Sequence, residues 1–277
     1  MLFLTSHLSN IPLLGALVLT GMIVILVKKN DKPLKKYMWQ KVFFILLIFV
    51  ITLATLAIYN KRHFSRLSLS PSGSVFFFAR LIDTGLIGPY LSENCDRKDY
   101  LICRYRDSIP RSSQEFLWHT EGIFYQMGGW YKYGDEAAGI NKGILTTPKY
   151  YKTLLWHFTK ATLKQLVTCS VGGDFYNFTD GSWKPVYDKC LENFPRNEMR
   201  RDFLNTRQTK ETLSFGLLNY VFTVALILSV FVLLYFLLRR QLKETATEFI
   251  IIVLSAVVSN AFICANLSNV LSRYRRA

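Results

Sequence analysis

The sequence predicts a mainly α membrane protein: four transmembrane helices, with a helix-rich, disulfide-containing extracytoplasmic domain between the second and the third. Three observations carry that reading. Four apolar runs approach or exceed the ~18–20 residues that cross ~30 Å of hydrocarbon as a helix. Lysine and arginine gather in the two short loops between runs. Four of the five cysteines lie in the one long segment between the second and third runs. A composition that is 51% hydrophobic, with 21 Phe and 15 Tyr in 277 residues, agrees with this class.

The runs are Ile11–Val27, Val42–Tyr59, Gly216–Leu238 and a fourth that starts at Phe249 and extends to about residue 270. Lipid cannot hydrogen-bond a bare backbone, so these runs must be helices. They contain no Asp, Glu, Lys, Arg or His, which argues against an ion or solute pathway. Residues 1–59 and 215–277 therefore read as two membrane hairpins flanking a domain at 60–214. Met1–Asn10 has no Lys or Arg, and Lys28 and Lys29 directly follow the first run. That order predicts a span with an outward N-terminus rather than a secretory signal peptide.

Orientation follows from the loop charges. Lys28, Lys29, Lys32, Lys35, Lys36 and Lys41 separate the first two runs, against the single acid Asp31. Arg239, Arg240 and Lys243 separate the last two. The positive-inside rule puts both loops in the cytoplasm and residues 60–214 on the extracytoplasmic side. That segment has 22 Lys and Arg against 16 Asp and Glu, a net +6 of the chain's +15. Lys61, Arg62, Arg66, Arg273, Arg275 and Arg276 make the outer face positive as well. This charge reads either as a solvated surface beside anionic lipid or as a site for an anionic group such as a lipid phosphate. No nucleic acid partner is expected.

Cys95, Cys103, Cys169 and Cys190 fall in the domain, and Cys264 in the fourth run. An even number in an oxidising compartment predicts two disulfides. Local spacing favours Cys95–Cys103 and Cys169–Cys190, one of the three pairings that four cysteines allow. Zinc is the rival, but no C-x-x-C occurs and no histidine is close in sequence.

Two helices of the domain are legible. "SPSGSVFFFARLIDTGLIGPYL", Ser70–Leu91, is apolar but interrupted by Arg80 and Asp83. Its apolar part is too short and too polar to span. It predicts a helix opened by the turn residues "SPSGS", with Arg80 and Asp83 paired at i,i+3. A re-entrant or interfacial helix is the alternative. "TTPKYYKTLLWHFTKATLKQLV", from Thr146, predicts a helix capped by Thr147 with Pro148 at its first position. Tyr151, Leu154, Leu155 and Phe158 form one apolar face; Lys152, Trp156, Lys160 and Lys164 line another. Such a helix either lies on a membrane surface or packs on its own domain with the lysines in water.

No motif announces chemistry. His7, His63, His119 and His157 are not at metal-binding spacing, and H-E-x-x-H, G-x-S-x-G, P-loop, G-x-G-x-x-G and D-x-D patterns are missing from the sequence. No metal or cofactor is implied. Asp135–Glu136 reads as a solvated pair. Asn177-Phe178-Thr179 is a glycosylation sequon, meaningful only in a eukaryotic secretory protein. Asn260 and Asn266 read as polar groups that bond across to a neighbouring helix.

Several stretches together resemble a group of bacterial polytopic membrane proteins whose architecture is similar to that of the GT-C class of membrane glycosyltransferases. They are "FSRLSLSPSGSVFFFARLIDTGLIGPYL" at Phe64–Leu91, "NCDRKDYLICRYRDSIP" with Cys95 and Cys103, "EFLW" at Glu115–Trp118 and "MGGW" at Met127–Trp130. "ATLKQL" at Ala161–Leu166 and "SNAFICANLSNVLSRYRR" at Ser259–Arg276 complete the set. The resemblance covers Phe64 to the C-terminus. It implies a bacterial inner-membrane protein acting on polyprenyl-phosphate-linked sugars. Members have further N-terminal spans and an acidic first outer loop, whereas Met1–Asn10 has no acid. The chain thus resembles the C-terminal half only, inactive alone or dependent on a second polytopic membrane protein for the base. Its own share would be positive charge for the leaving phosphate. Arg80, Arg273, Tyr274 and Arg276 are the lipid-phosphate-binding candidates, and snorkelling anchors are the plainer reading of the terminal arginines. The alternative function is a non-catalytic membrane protein whose outer domain binds an envelope protein or other partner.

Overall fold

The structure, a computed structural model, describes residues 10–27, 32–65, 67–119, 121–168, 197–207, 210, 212, 214–239 and 244–266. Every described secondary-structure element is a helix. Four are long and apolar enough to cross a membrane: Asn10–Val27, Lys36–Phe64, Gly216–Phe236 and Ala246–Asn266. The chain is an integral membrane protein built as the composition required. Its helices, in order, begin with α1 (Asn10–Val27) and α2 (Lys32–Phe64). The 33-residue α2 starts ten residues before its apolar run. After Pro33, which suits a first helical turn, nothing in "LKKYMWQK" breaks a helix, so residues 32–41 wind directly into the span.

The domain follows. It comprises α3 (Gly73–Asp83), α4 (Ile87–Asn94), a 3₁₀ helix (Leu101–Ser108), α5 (Ser113–Trp118), α6 (Ile123–Gln126), α7 (Gly129–Lys132), α8 (Gly134–Thr146), a 3₁₀ turn (Pro148–Tyr150) and α9 (Tyr151–Val167). The chain bends by 103° between α3 and α4. Gly85 sits at the bend with φ +72°, a conformation that costs a side-chain-bearing residue dearly. At 11 residues, α3 is ~16 Å long, well short of a membrane crossing. It is instead the centre of the domain core. Val75, Phe78, Ala79 and Leu81 are fully buried on it.

The core around α3 is aromatic. Phe78 packs against Phe116 and Tyr133, with ring centroids 5.3 Å apart in each case, and Phe124 packs on Phe116 and Trp130. The Phe78–Tyr133 and Phe124–Trp130 pairs meet edge-on, a geometry that adds to the area that they bury. Polar bonds hold the register of α3 on α8: Ser74 Oγ donates to the Gly134 carbonyl and Asn141 Nδ2 to the Ser74 carbonyl, both at 2.8 Å. Glu136 departs from the solvated-pair reading, whereas Asp135 is exposed. Both oxygens of Glu136 accept from the 3₁₀ helix N-terminus, Leu101 N–H at 2.7 Å and Ile102 N–H at 3.0 Å. A carboxylate there satisfies amides that no helical carbonyl can reach.

Cys95 is bonded to Cys103, as the spacing favours, with Cα atoms 5.7 Å apart. Cys169 and Cys190 lie outside the described residues, as does Asn177. Thr147 does not cap α9 by its side chain; its hydroxyl donates back to the Gly143 carbonyl at 2.6 Å, and Pro148 opens the short 3₁₀ turn instead. The buried face of α9 is also narrower than the apolar pattern predicts. Leu154 and Thr162 are buried, whereas Tyr151 and Leu155 are exposed.

The last described helices are α10 (Asn197–Leu204), α11 (Gly216–Arg239) and α12 (Glu244–Asn266). By compactness α1–α9 and α12 form one unit, and α10 and α11 fall in a second. Within the first unit α12 packs against both α1 and α9. Thr20 Oγ1 and Ser255 Oγ share a hydrogen bond of 2.6 Å between α1 and α12. Across from α9, Asn266 Nδ2 donates to Thr162 Oγ1 at 3.0 Å and to the Phe158 carbonyl at 3.3 Å. Asn266 thus bonds across to a neighbouring helix, and that helix belongs to the domain. Asn260 is engaged within α12 itself, its Oδ1 facing Cys264 Sγ at 3.7 Å.

Candidate functional site

Arg80, the only phosphate-binding candidate among the described residues, is committed to an internal bond. Its Nη1 donates to Asp83 Oδ2 at 2.9 Å. The other oxygen of Asp83 accepts from Ser113 N–H at 2.8 Å. One carboxylate therefore neutralises the arginine and ties the end of α3 to the start of α5. Arg273, Tyr274 and Arg276 lie outside the described residues.

A second cluster collects more free charge. It forms a pocket of about 320 Å³ between α4, the chain that follows it and the end of α8, lined by Tyr90, Glu93, Arg97, Lys98, Gly143 and Tyr150 among others. The disulfide shapes it. By joining Cys95 to Cys103 it turns the intervening loop back on α4, so that Lys98 and Tyr100 return to Tyr90. Lys98 Nζ donates to Tyr90 Oη at 3.5 Å, and the hydroxyls of Tyr90 and Tyr100 meet at 3.5 Å. From the other side, the turn before α9 brings Lys149 and Tyr150 to Glu93. Lys149 forms an ion pair with Glu93 Oε2, and Tyr150 Oη donates to the same oxygen at 3.3 Å.

The protonation states follow from these contacts. Hydrogen bonds to Tyr100 and Tyr90 hold the Lys98 ammonium above its ordinary pKa. Burial raises Tyr90, with Tyr100 adding to the effect, and burial raises Tyr150. The bond from Lys149 lowers Glu93, and the same bond raises Lys149. At neutral pH the pocket holds protonated phenols, an ammonium and a guanidinium, and its one lining carboxylate, Glu93, is already paired. Such a set donates hydrogen bonds and offers positive charge, the requirements of an anion site.

No protein-family model, curated protein or solved structure matches the chain. The site is therefore read from its own geometry. Among the described residues, no group of three or more His, Cys, Asp or Glu could hold a metal ion.

Sequence reasoning singled out none of Tyr90, Glu93, Lys98 or Lys149. The available signal was the aromatic and basic content of "YLSENCDRKDYLIC", Tyr90–Cys103, once its two cysteines were paired. Glu93 and Lys149 are 56 residues apart, and no local pattern joins them.

Proposed function

We propose that the chain is a non-catalytic membrane protein whose disulfide-stapled domain binds an anionic group, carried by an envelope component or a partner. The observation that carries this reading is the donor set: Arg97, Lys98 and the phenol of Tyr90 around one pocket, with Glu93 already engaged by Lys149 and Tyr150. A phosphate or carboxylate with a modest substituent suits its size and charge. The pocket faces the extracytoplasmic side of a bacterial inner membrane in this reading. The Cys95–Cys103 disulfide and the lysine-rich loop before the second span support that side.

The glycosyltransferase-half reading shares this chemistry, because a polyprenyl-phosphate sugar is an anion. Under it the chain supplies a phosphate subsite, and a second polytopic protein supplies the base. The pairing of Arg80 with Asp83 favours binding over catalysis, since that cation is not offered to a leaving group.

Calorimetric titration of the full chain in neutral detergent with a short-chain polyprenyl phosphate, and separately with inorganic phosphate, tests the proposal. Salt-sensitive binding that weakens at least tenfold in Arg97→Gln/Lys98→Gln is expected. Binding that is absent, or unaltered in the variant, overturns it. Loss of a surface glycan on deletion of the gene would select the transferase reading.

A further inference from the structure

We infer that the outward face of α9 is a docking surface for anionic lipid headgroups. This surface is separate from the pocket and does not depend on its function. The argument starts from depth. Helix α12 crosses the membrane, and its last described turn ends at Asn266, which is fully buried. Asn266 binds Thr162 and the Phe158 carbonyl, and the Phe158 ring packs edge-on against Phe262, with centroids 6.1 Å apart. These contacts pin the middle of α9 level with the end of a span, where headgroups lie.

What α9 turns away from α12 is unlike a water-facing surface. Trp156 is 64% exposed and Leu163 57%, while Lys152 and Lys160 stand beside them, also exposed. Helix α9 contains no acid. Lys160 and Leu163 lie within two residues of Thr162, ~3 Å along the axis, so they share the level of the span end. A tryptophan with a leucine buries its apolar part among acyl chains near the headgroups, and lysines lift their ammonium groups to the phosphates. Continuity with a membrane span and uniform positive charge together select anionic lipid as the occupant over water or an acidic protein.

Two measurements on the full chain test this. In native mass spectrometry from neutral detergent, phosphatidylglycerol should be retained in preference to phosphatidylcholine. Lys152→Gln/Lys160→Gln should lower that retention several-fold, and Lys152→Arg/Lys160→Arg should keep it. In nanodiscs, the fluorescence lost in Trp156→Phe should be the component that lipids brominated near the headgroup quench. Retention unaltered in the Gln variant overturns the inference. So does a Trp156 signal that aqueous acrylamide quenches and brominated lipid does not, which would mean that water or a protein covers this face.

Discussion

Tyr90 lays its phenol across the bare Cα of Gly143, so closely that a Cβ at that position would overlap the hydroxyl and lie 2.6 Å from Cζ. Glycine ten residues into a 13-residue helix costs ~1 kcal/mol relative to alanine, and here the space it leaves is filled by the pocket's central phenol.

Gly143→Ala should therefore destabilise the protein despite its better helix propensity. Overpacking costs ~1–3 kcal/mol, which outweighs the propensity gain through most of that range. Tyr90→Phe should relieve only part of the loss, because the ring carbon stays in the way. A double-mutant cycle by denaturant unfolding checks both points, and additive single effects would mean that the ring moves aside freely.

Acid should loosen the turn before α9 from α4. The bond from Lys149 depresses Glu93 in the folded state, so its stabilisation is fully present above the unfolded value of about 4.3 and is lost as pH falls through the folded value. Lys149 is raised by the same bond, so its share is present below about 10.4 and is lost as pH rises through the folded value. The difference in thermal midpoint between wild type and Glu93→Gln should hold across neutral pH, shrink as pH drops below the unfolded value of about 4.3, and vanish once pH is below the lowered folded value. A difference that persists into strong acid would exclude the ion pair as its cause.

Removing Asp83 should cost more than removing Arg80. Asp83→Ala leaves a largely buried guanidinium uncompensated and frees Ser113 N–H as well, a loss of about 3 kcal/mol or more. Arg80→Met keeps the packing volume and leaves Asp83 one of its two bonds. Chemical unfolding of the two variants ranks them, and the reverse order would show that Arg80 carries the greater structural load.

Reducing the Cys95–Cys103 bond should remove about 2–3 kcal/mol, the chain-entropy value for a loop with a sequence separation of 8. It should also weaken anion binding, because Lys98 and Tyr100 owe their approach to Tyr90 to the closed loop. Cys95→Ser/Cys103→Ser measured for both stability and phosphate binding separates the two effects. Unchanged affinity in a less stable variant would place the ligand elsewhere.

The spans were legible because lipid imposes a length and a composition that no other environment demands. The four runs could be marked on the sequence, and α2, α11 and α12 differ from them mainly in how far each helix continues past its apolar part. Arg80–Asp83 was legible for a similar reason: an i,i+3 spacing on one helix fixes proximity without help from the rest of the chain. Cys95–Cys103 followed from short separation.

Glu136 shows where such reasoning stops. Its neighbours in sequence make it look solvated, yet its partners are amides 34 and 35 residues away. The same holds for Glu93 with Lys149 and for Asn266 with Thr162, separated by 56 and 104 residues. By itself the sequence determined the membrane class, the four crossings, the disulfide nearest in spacing and the helix-internal ion pair, all properties of local chain geometry and solvent. Only the tertiary structure decided which charges gather in one pocket, which face of α9 is buried and which helix Asn266 meets. Those contacts depend on how buried faces interlock across long stretches of chain, and packing of that kind leaves no local periodicity to read.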